Sequence, residues 1–406
     1  MVVVATSATA AAGGRFVLDL HGAAPIRGGR PIVGAEVLRR LTEGRRAVML
    51  PDLLAALFAL CGTVHRITAR RAVAAALGLH EAEAEVSRTG LTLRIATLRD
   101  QLQRLALDLP ARVPVGIEAT PSWLAGAPVV ETHSVVSPTA QDLVACLQRM
   151  PAWLERHLLG IPPLAWWHEW QASPDRTAAR WASGPTAGHT WEANPVARWH
   201  AAVRERAESL LLPCRPLALL DAEPARVHAA MRDLARELDE DTGFATRPLW
   251  LGLPAETGAW TRCVAPPVTS AVAGLDRADT AWLRLGARIA DVARVACDEQ
   301  ALRHGALALG AGEGIAWSEM ARGLLVHWVR LEPGNDEPAL ARVQACRVLA
   351  PTEWNFHPDG GLAQWMRKSA PSAADVGLAA AALDPCVEFE IEACERDAVA
   401  CGVGHA

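Results

Sequence analysis

Near the end of this 406-residue chain stands the segment Leu383-Asp384-Pro385-Cys386-Val387-Glu388-Phe389. Its Asp-Pro pair predicts a turn that places the thiol of Cys386 directly after it. Residues 386–392 then alternate between apolar and acidic side chains, which predicts a half-buried strand. Alone, the segment is a turn, a thiol and a strand, so the fold it indicates depends on three other segments far away in the chain.

Those segments carry a thiol, a guanidinium and a hydroxyl: Leu60-Cys61-Gly62-Thr63-Val64-His65-Arg66, Met320-Ala321-Arg322-Gly323-Leu324-Leu325-Val326-His327 and Leu349-Ala350-Pro351-Thr352-Glu353-Trp354-Asn355. Each has an ordinary explanation when taken alone. A buried cysteine such as Cys61 is usually a small hydrophobic residue. His65, four residues after Cys61, would lie on the same helical face as Cys61 and can be an ordinary core histidine. Arg322 can be an ordinary surface arginine. Only the order and joint identity of the segments carry a signal.

Together, the four segments resemble the signatures of nickel–iron hydrogenase large subunits. That family carries an early Cys-Gly-x-Cys, then Arg-Gly-x-Leu-x-His, Pro-Ser/Thr-x-Trp-Asn and finally Asp-Pro-Cys-x-x-Cys-x-x-His. The agreement spans most of the chain and is poorest between about residues 115 and 275. Because chance agreement at four ordered sites is improbable, the chain is identified as large-subunit-like. The resemblance implies an α+β, predominantly helical fold with long central helices and small peripheral sheets.

The departures from the family pattern concern the nickel ligands. In the enzymes, one cysteine of each pair binds nickel alone and the other bridges nickel and iron. Cys61 and Cys386 match the terminal cysteines, whereas Val64 and Phe389 stand at the bridging positions. Two thiolates cannot satisfy both metals, because nickel in such a site needs a soft, four-sulfur environment. The ligand count therefore predicts a protein that does not turn over hydrogen at a nickel–iron centre.

The iron side of the family's pocket is better matched. The resemblance implies that Arg322 and Thr352 would donate hydrogen bonds to two cyanides on iron, since guanidinium and hydroxyl groups suit anionic acceptors. Pro351 and Leu324 would form the apolar wall beside carbon monoxide. Asp384 belongs to the same predicted pocket around the diatomic ligands.

With iron-side residues kept and nickel ligands lost, the chain is similar to the hydrogenase expression/formation proteins of the HupK/HoxV group. The resemblance implies a non-catalytic maturation scaffold that holds or transfers the Fe(CN)2CO fragment, transiently and without nickel. It also implies docking with a HypC-type chaperone, the HypC–HypD complex and the hydrogenase large-subunit precursor. Cys61 and Cys386 would ligate the iron. His65 would orient or deprotonate Cys61, or serve as a labile third ligand.

Two alternatives stay open. An active hydrogenase with unusual ligands would need Cys394 or Cys401 in place of Phe389, and nothing visible replaces Val64. A metal-free, large-subunit-like interaction protein would dock maturation chaperones without binding iron. Because Glu392 stands where the family has its last histidine, no C-terminal processing is expected.

Composition limits the remaining classes of function. The net charge of −5 gives no broad electrostatic reason to bind nucleic acid or an anionic membrane. The first residues lack the basic region of a signal peptide, and the longest apolar run, 53–61, is about half a membrane span. A cytoplasmic location is therefore predicted, and most of the nine cysteines are expected to be free thiols.

The chain is interpreted as one large-subunit-like domain, 1–406, in three parts. Residues 1–112 hold the first motif, 113–275 form a divergent, Trp-rich middle, and 276–406 hold the three later motifs. Seven tryptophans lie among prolines and glycines between residues 151 and 200. So many tryptophans in one stretch are compatible with two roles. They can pack the interior of an irregular, loop-rich region, or they can form a surface that docks a partner.

Hydrophobic periodicity and turn residues predict the elements. A strand is expected over 15–21, followed by turns over 22–34. Helices are expected over 35–41, 51–61, 65–77, 81–109, 223–241 and 278–309. The Ala-rich stretch 370–382 is expected to be a helix or a connector.

Overall fold

The computed structural model describes residues 14–30, 34–117, 124–133, 138–183, 194–220, 223–264, 277–310, 312–332 and 340–392. Within these residues the chain is mostly helical, with three small sheets of three, two and four strands. The predicted α+β, predominantly helical class is therefore confirmed. Cys394, Cys401 and Trp191 lie outside the described residues.

The first sheet joins the two ends of the chain. Strands β1 (Arg15–Asp19) and β2 (Ile26–Gly29) form an antiparallel hairpin, and β9 (Glu388–Glu392) pairs with β1 in parallel. The strands predicted at 15–21 and 386–392 are confirmed. The expectation of turns throughout 22–34 is wrong, because β2 pairs there. At Gly28 (φ +79°) a Cβ would lie 2.5 Å from the carbonyl oxygen of Arg15, so only glycine fits this pairing.

Four helices follow in the first part: α1 (Ala35–Thr42), α2 (Leu50–Leu57), α3 (Gly62–Ala76) and α4 (Glu83–Gln103). The helix predicted over 51–61 ends early, because the chain turns at Phe58 into a short 3-10 segment, Ala59–Cys61. A Cβ on Gly62 would lie 2.6 Å from the Ala55 carbonyl oxygen, so this bend depends on close backbone contact.

In the part of the chain that the structure describes, no single helix is long and apolar enough to cross a membrane. The pair Ala47–Leu57 and Ala59–Ala76 meets the length and composition criteria only jointly, across a bend of 107°.

Helix α4 continues through a π-helical turn, Arg104–Asp108, into α5 (Leu109–Arg112). The long helix predicted over 81–109 is thus confirmed. It does not stop at Pro110, which takes the second position of α5 directly after the π-helical turn.

Between residues 128 and 209 the described part of the Trp-rich middle is mostly helical. Its helices are α6 (Pro128–His133), α7 (Ala140–Leu154), α8 (Pro163–Ala172), α9 (Pro174–Ser183), α10 (Pro195–Ala202) and α11 (Arg204–Ser209). The six described tryptophans between residues 151 and 200 are buried, and Trp166 stacks on Trp170 with ring centroids 5.5 Å apart. Packing is therefore confirmed as their role, whereas the expected irregular backbone is wrong.

One long helix lies at the centre of the molecule. It is α14 (Ala281–Cys297), in which 14 of 17 residues are buried. Before it come β3 (Leu211–Cys214), α12 (Pro224–Glu240), α13 (Ala259–Val264) and β4 (Arg277–Thr280), with β3 and β4 paired antiparallel. The helix predicted over 223–241 is confirmed. The one predicted over 278–309 is right only as far as Cys297.

The last part is an antiparallel sheet followed by three helices. The sheet has the order β5 (His304–Gly310), β6 (Glu313–Met320), β7 (Gly323–Leu331) and β8 (Val343–Leu349). The helices are α15 (Pro351–Asn355), α16 (Gly361–Ser369) and α17 (Ala373–Leu383), which confirms the helix expected in the Ala-rich stretch. Strand β6 packs against α3, so the first and last motifs share one core.

Candidate functional site

Two thiols from opposite ends of the chain come together in the interior. Cys61 precedes the first turn of α3, and Cys386 follows the turn that ends α17; both are buried. Burial, together with the charge of Cys386, raises the pKa of Cys61 to about 12, while the guanidiniums of Arg322 and Arg30 act in the opposite direction. Geometry supports the same placement: Arg30 contacts Cys386 at 3.1 Å and lies 5.3 Å from the ring centroid of Phe58, whose carbonyl oxygen accepts the Cys61 backbone N–H at 3.0 Å.

A buried ion pair holds the sulfur of Cys386. Arg30 donates from Nη1 to Cys386 Sγ at 3.1 Å and from Nε to Glu353 Oε1 at 2.7 Å, and its Nη2 pairs with the second oxygen of Glu353. Burial acts to lower the pKa of Arg30, but the charges of Cys386 and Glu353 outweigh it and raise that pKa. Two hydrogen bonds to Glu353 thus fix the charged guanidinium so that one of its N–H groups faces the sulfur.

The hydroxyl of Thr352 also faces Cys386. Its Oγ1 lies 3.0 Å from Cys386 Sγ and accepts the Cys386 backbone N–H at 3.3 Å. Because the hydroxyl accepts from the backbone, its own proton is available for the sulfur. Thr352 is predicted from sequence to bond a cyanide, whereas in the structure its hydroxyl is engaged with the thiol.

Arg322 lies in the turn between β6 and β7 and is buried with unused donors. Its Nε is 3.6 Å from Asp384 Oδ2 and its Nη1 is 3.9 Å from Asp100 Oδ2. Neither nitrogen has a hydrogen-bond partner among the described residues. Burial acts to lower the pKa of Arg322, but Asp384, Asp100 and the two thiols raise it. The site therefore presents a cationic side chain with two free N–H groups.

Asp384 anchors the turn before Cys386. It adopts a left-handed backbone conformation (φ 53°) and accepts a hydrogen bond from Arg288 Nη1 at 2.7 Å. It also forms an ion pair with Arg104, whose Nε lies 3.1 Å from Asp384 Oδ1. Burial acts to raise the pKa of Asp384, but Arg288, Arg104 and Arg322 hold it well below its usual range. The carboxylate thus ties the Cys386 turn to α14 and to the turn that carries Arg322.

The Trp-Asn end of the third motif positions the Arg322 turn through Thr257. Asn355 and Thr257 exchange two hydrogen bonds of 2.9 Å, and Thr257 Oγ1 accepts the backbone N–H of Leu324 at 3.0 Å. At Gly323 (φ +131°) a Cβ would lie 2.6 Å from Thr257, so the glycine after Arg322 is required both by its backbone conformation and by packing.

His65 is oriented towards another histidine. Its Nδ1 lies 3.1 Å from His327 Nε2, and its ring stacks on Phe58 with centroids 4.0 Å apart. Burial lowers the pKa of both histidines, that of His327 to about 3. No hydrogen bond joins His65 to Cys61 among the described residues, so its role towards Cys61 stays a prediction.

The remaining predicted residues lie around the thiols. Pro351 starts α15 and is buried, as is Leu324 in β7. Val64 is buried in the first turn of α3. Phe389 is half-buried in β9, with the guanidinium of Arg112 5.5 Å from its ring centroid. Apolar side chains thus occupy the two bridging positions of the family pattern.

Several buried charged residues of the site are missed by sequence reasoning: Arg30, Asp100, Arg104, Arg288 and Glu353. Glu353 lies inside the third motif, which was a usable signal. Arg30 follows a Gly-Gly pair with no periodic pattern, so nothing local distinguishes it from a surface arginine.

The donor set fits a metal fragment that brings its own ligands. Among the described residues, no group of three or more His, Cys, Asp or Glu side chains is placed to hold a metal ion. Two soft sulfur donors can bind iron only if other ligands complete its coordination. The unbonded N–H groups of Arg322 suit acceptors of negative character on such ligands.

Comparisons with known proteins identify the class. No family model matches the chain. It is 37% identical over 397 residues to the hydrogenase expression/formation protein HoxV of Cupriavidus necator, covering 91% of this chain and 93% of that protein. It is 31% identical to the hydrogenase expression/formation protein HupK of Bradyrhizobium diazoefficiens and 30% to that of Rhizobium leguminosarum, each over 87% of this chain and 89% of the relative.

The chain is therefore a hydrogenase maturation protein. It belongs to the HoxV/HupK family of hydrogenase expression/formation proteins, which confirms the membership predicted from the four motifs.

Solved structures similar to the chain are hydrogenases. They include the Ni-Fe-Se hydrogenase from D. vulgaris Hildenborough (TM-score 0.49, 11% identity, 89% of this chain and 92% of that one). They also include an NAD+-reducing [NiFe]-hydrogenase (TM-score 0.47, 15% identity, 85% and 88%).

Proposed function

We propose that the chain is a non-catalytic scaffold that holds or transfers the Fe(CN)2CO fragment during assembly of the nickel–iron hydrogenase active site. One observation carries the proposal. The buried thiols of Cys61 and Cys386, 325 positions apart, both interact with the guanidiniums of Arg30 and Arg322. Paired soft donors beside fixed positive charge suit an iron fragment with anionic ligands.

The unused donors of Arg322 support an acceptor-bearing cargo. A buried N–H group without a partner costs about 1–3 kcal/mol, and more when the group is charged. Cyanide nitrogens are acceptors that would satisfy Nε and Nη1 of Arg322. Arg30 and Thr352 would meanwhile keep the Cys386 sulfur in place, since both already contact it.

Transfer follows from ligand exchange. Two protein thiolates and three diatomic ligands leave one open position on octahedral iron. A thiolate of a partner would enter there and form a new iron–sulfur bond. The bonds to Cys61 and Cys386 would then break, each sulfur keeping its electron pair and taking up a proton on release. Iron, the two cyanides and carbon monoxide would pass on without a change of oxidation state.

Family membership supports interaction with the hydrogenase maturation machinery. A HypC-type chaperone or the HypC–HypD complex would deliver the fragment, and the large-subunit precursor would receive it. Val64 and Phe389 offer no lone pair, so the scaffold would carry no nickel. Protein isolated from a native host is expected to contain iron without nickel by metal analysis; stoichiometric nickel would favour the enzyme alternative.

Infrared spectroscopy tests the proposal directly. Protein isolated from cells that are actively maturing hydrogenase is expected to show cyanide and carbonyl stretching bands. Cys61→Ala and Cys386→Ala should each abolish the bands, whereas the matched variant Cys346→Ala, which removes a buried thiol from β8, should keep them. Iron-loaded wild type without such bands would exclude the Fe(CN)2CO cargo.

A metal-free interaction protein is the second candidate. It is favoured because, among the described residues, no group of three or more His, Cys, Asp or Glu side chains is placed to hold a metal ion. The double variant Cys61→Ala/Cys386→Ala separates the two functions. Normal maturation of the partner hydrogenase in that background would show that the thiol site is dispensable.

A further inference from the structure

A basic cleft lies between α3, α4 and the start of α7. Its cavity measures about 560 Å3. Two arginines from α3 and two from α4 line it: Arg66, Arg70, Arg88 and Arg99. No Asp or Glu occurs among its described lining residues, although the chain as a whole is acidic. This arginine cleft therefore concentrates positive potential on a chain of net negative charge.

The present partners of three of these arginines, Arg66, Arg70 and Arg88, are easily exchanged. Arg66 pairs with Asp52 at 2.8 Å, and Arg70 pairs with Glu85 at 3.6 Å. Both members of each of these two ion pairs are more than half exposed. Arg88 donates to a backbone carbonyl oxygen at 3.1 Å and makes no ion pair within the described part of the chain. Because exposed ion pairs contribute little to stability, carboxylates of a ligand can replace them at small cost.

A buried hydroxyl in the lining points independently to a ligand. Thr89 is only 2% exposed, yet its Oγ1 has no hydrogen-bond partner among the described residues. The neighbouring Thr92 differs, since its hydroxyl donates to the backbone carbonyl oxygen of Arg88 at 2.8 Å. An unsatisfied buried hydroxyl costs free energy, and an acceptor on a bound segment would remove that cost.

The floor of the arginine cleft is apolar. It is formed by aliphatic side chains: Ile67, Ile95, Ala96 and Leu143. A phosphate group or a nucleic-acid backbone has nothing to bury there. A polypeptide segment that mixes carboxylates with apolar side chains matches both the floor and the arginines.

The cleft shares a wall with the thiol site. Thr63 in its lining is two residues from Cys61, and Arg99 donates to Asp100 at 3.2 Å. Asp100 in turn interacts with Arg322 and Cys61. The helices α3 and α4 that line the cleft therefore also position Cys61 and Asp100 of the thiol site.

We propose that the arginine cleft docks an acidic, partly apolar segment of a partner polypeptide from the hydrogenase maturation machinery. The choice of partner rests on the proposed function, whereas binding of the segment needs no iron. Docking there would place the partner on the two helices, α3 and α4, that also position Cys61 and Asp100.

Fluorescence anisotropy on the full-length, iron-free protein tests the proposal. The probe is a fluorescein-labelled peptide of alternating Glu and Leu, and a Gln/Leu peptide is the neutral counterpart. The variant Arg70→Gln/Arg88→Gln should bind the Glu/Leu peptide at least about tenfold more weakly, because it loses two charge-assisted contacts. The matched variant Arg226→Gln/Arg236→Gln removes two exposed arginines of α12 and should bind as wild type does.

A second variant excludes a trivial loss of folding. Thr89→Val keeps the shape of the side chain and removes a hydroxyl that has no partner, so its free energy of unfolding should not fall. It should still bind the Glu/Leu peptide about threefold more weakly. Equal losses in the two arginine pairs, equal binding of the Gln/Leu peptide, or tighter binding of a single-stranded RNA oligonucleotide would each overturn the proposal. Because the assay uses no iron, its failure is independent of the infrared result.

Discussion

At the scale of single residues, Arg30 and Glu353 decide how the Cys386 sulfur is presented. The pair is buried, with both side chains under 5% exposed, and its members are 323 positions apart in the chain. A buried ion pair gains little against an apolar pair of similar size, but losing one partner leaves an uncompensated charge. The arrangement is thus better explained by control of the sulfur than by stability.

The energetic signature of such a pair is testable. Glu353→Gln should lower the free energy of unfolding by about 3–5 kcal/mol, because the Arg30 guanidinium stays buried without its counter-ion. The double variant Arg30→Met/Glu353→Met should lose less than Glu353→Gln alone. Urea denaturation followed by circular dichroism measures both values.

An exposed pair provides the comparison for this cycle. Asp233→Asn breaks the ion pair with Arg236 on the surface of α12 and should change stability little. The single variants Arg30→Met and Glu353→Met complete the cycle. If the double variant lost the sum of these two single losses, Arg30 and Glu353 would act independently and the coupling described here would be wrong.

At the scale of elements, the packing of α3 on β6 positions Cys61. Gly314 in β6 lies against the helix backbone: a Cβ there would be 2.4 Å from the Ala72 carbonyl oxygen and 2.5 Å from the Ala76 nitrogen. Since α3 begins directly after Cys61, the helix cannot move from the sheet without displacing the thiol.

This close approach predicts a specific loss of stability. Gly314→Ala should lower the free energy of unfolding by about 1–3 kcal/mol, because backbone atoms cannot yield as a flexible side chain does. The matched variant Gly310→Ala in β5 meets nothing within 4 Å and should be nearly neutral. Equal urea midpoints for the two variants would contradict the proposed helix–sheet contact.

At the scale of the whole molecule, several histidines are buried in the native state. Burial lowers the pKa of His200 and His327 to about 3 and that of His304 to about 4, and it lowers the pKa of His65 as well. Above pH 6.5 these groups are neutral in both the folded and the unfolded chain. As the pH falls below 6.5, the unfolded chain takes up protons that the native state does not, so stability is lost.

One histidine variant measures this contribution. His200→Phe should reduce the loss of unfolding free energy between pH 6.5 and 5.5 by about 1 kcal/mol relative to wild type. Burial raises the pKa of Asp100 and Glu319 and acts in the opposite direction, so the comparison is made between proteins rather than from one pH profile. Trp181→Phe, in the same aromatic cluster, should lower stability without changing the pH dependence. Parallel profiles for His200→Phe and wild type would show that this histidine is protonated in the native state.

Local sequence determined the elements and the family. The helices at 35–42, 62–76 and 83–103 follow from apolar periodicity, because side chains three and four positions apart share one helical face. The four ordered motifs named the HoxV/HupK family and placed Cys61 and Cys386 as partners. The helices could be predicted because each depends on residues close together in sequence. The family could be predicted because it depends on the order of short motifs along the chain.

Only the tertiary structure decided what surrounds the two sulfurs. Arg30 meets Cys386 from 356 positions away, and His65 turns to His327 from 262 positions away. The region around Trp166 is helical although prolines and glycines interrupt its pattern. Such contacts depend on which distant charges and rings share a buried space, and the energy of burying a charge is set by that whole environment rather than by its neighbours in sequence.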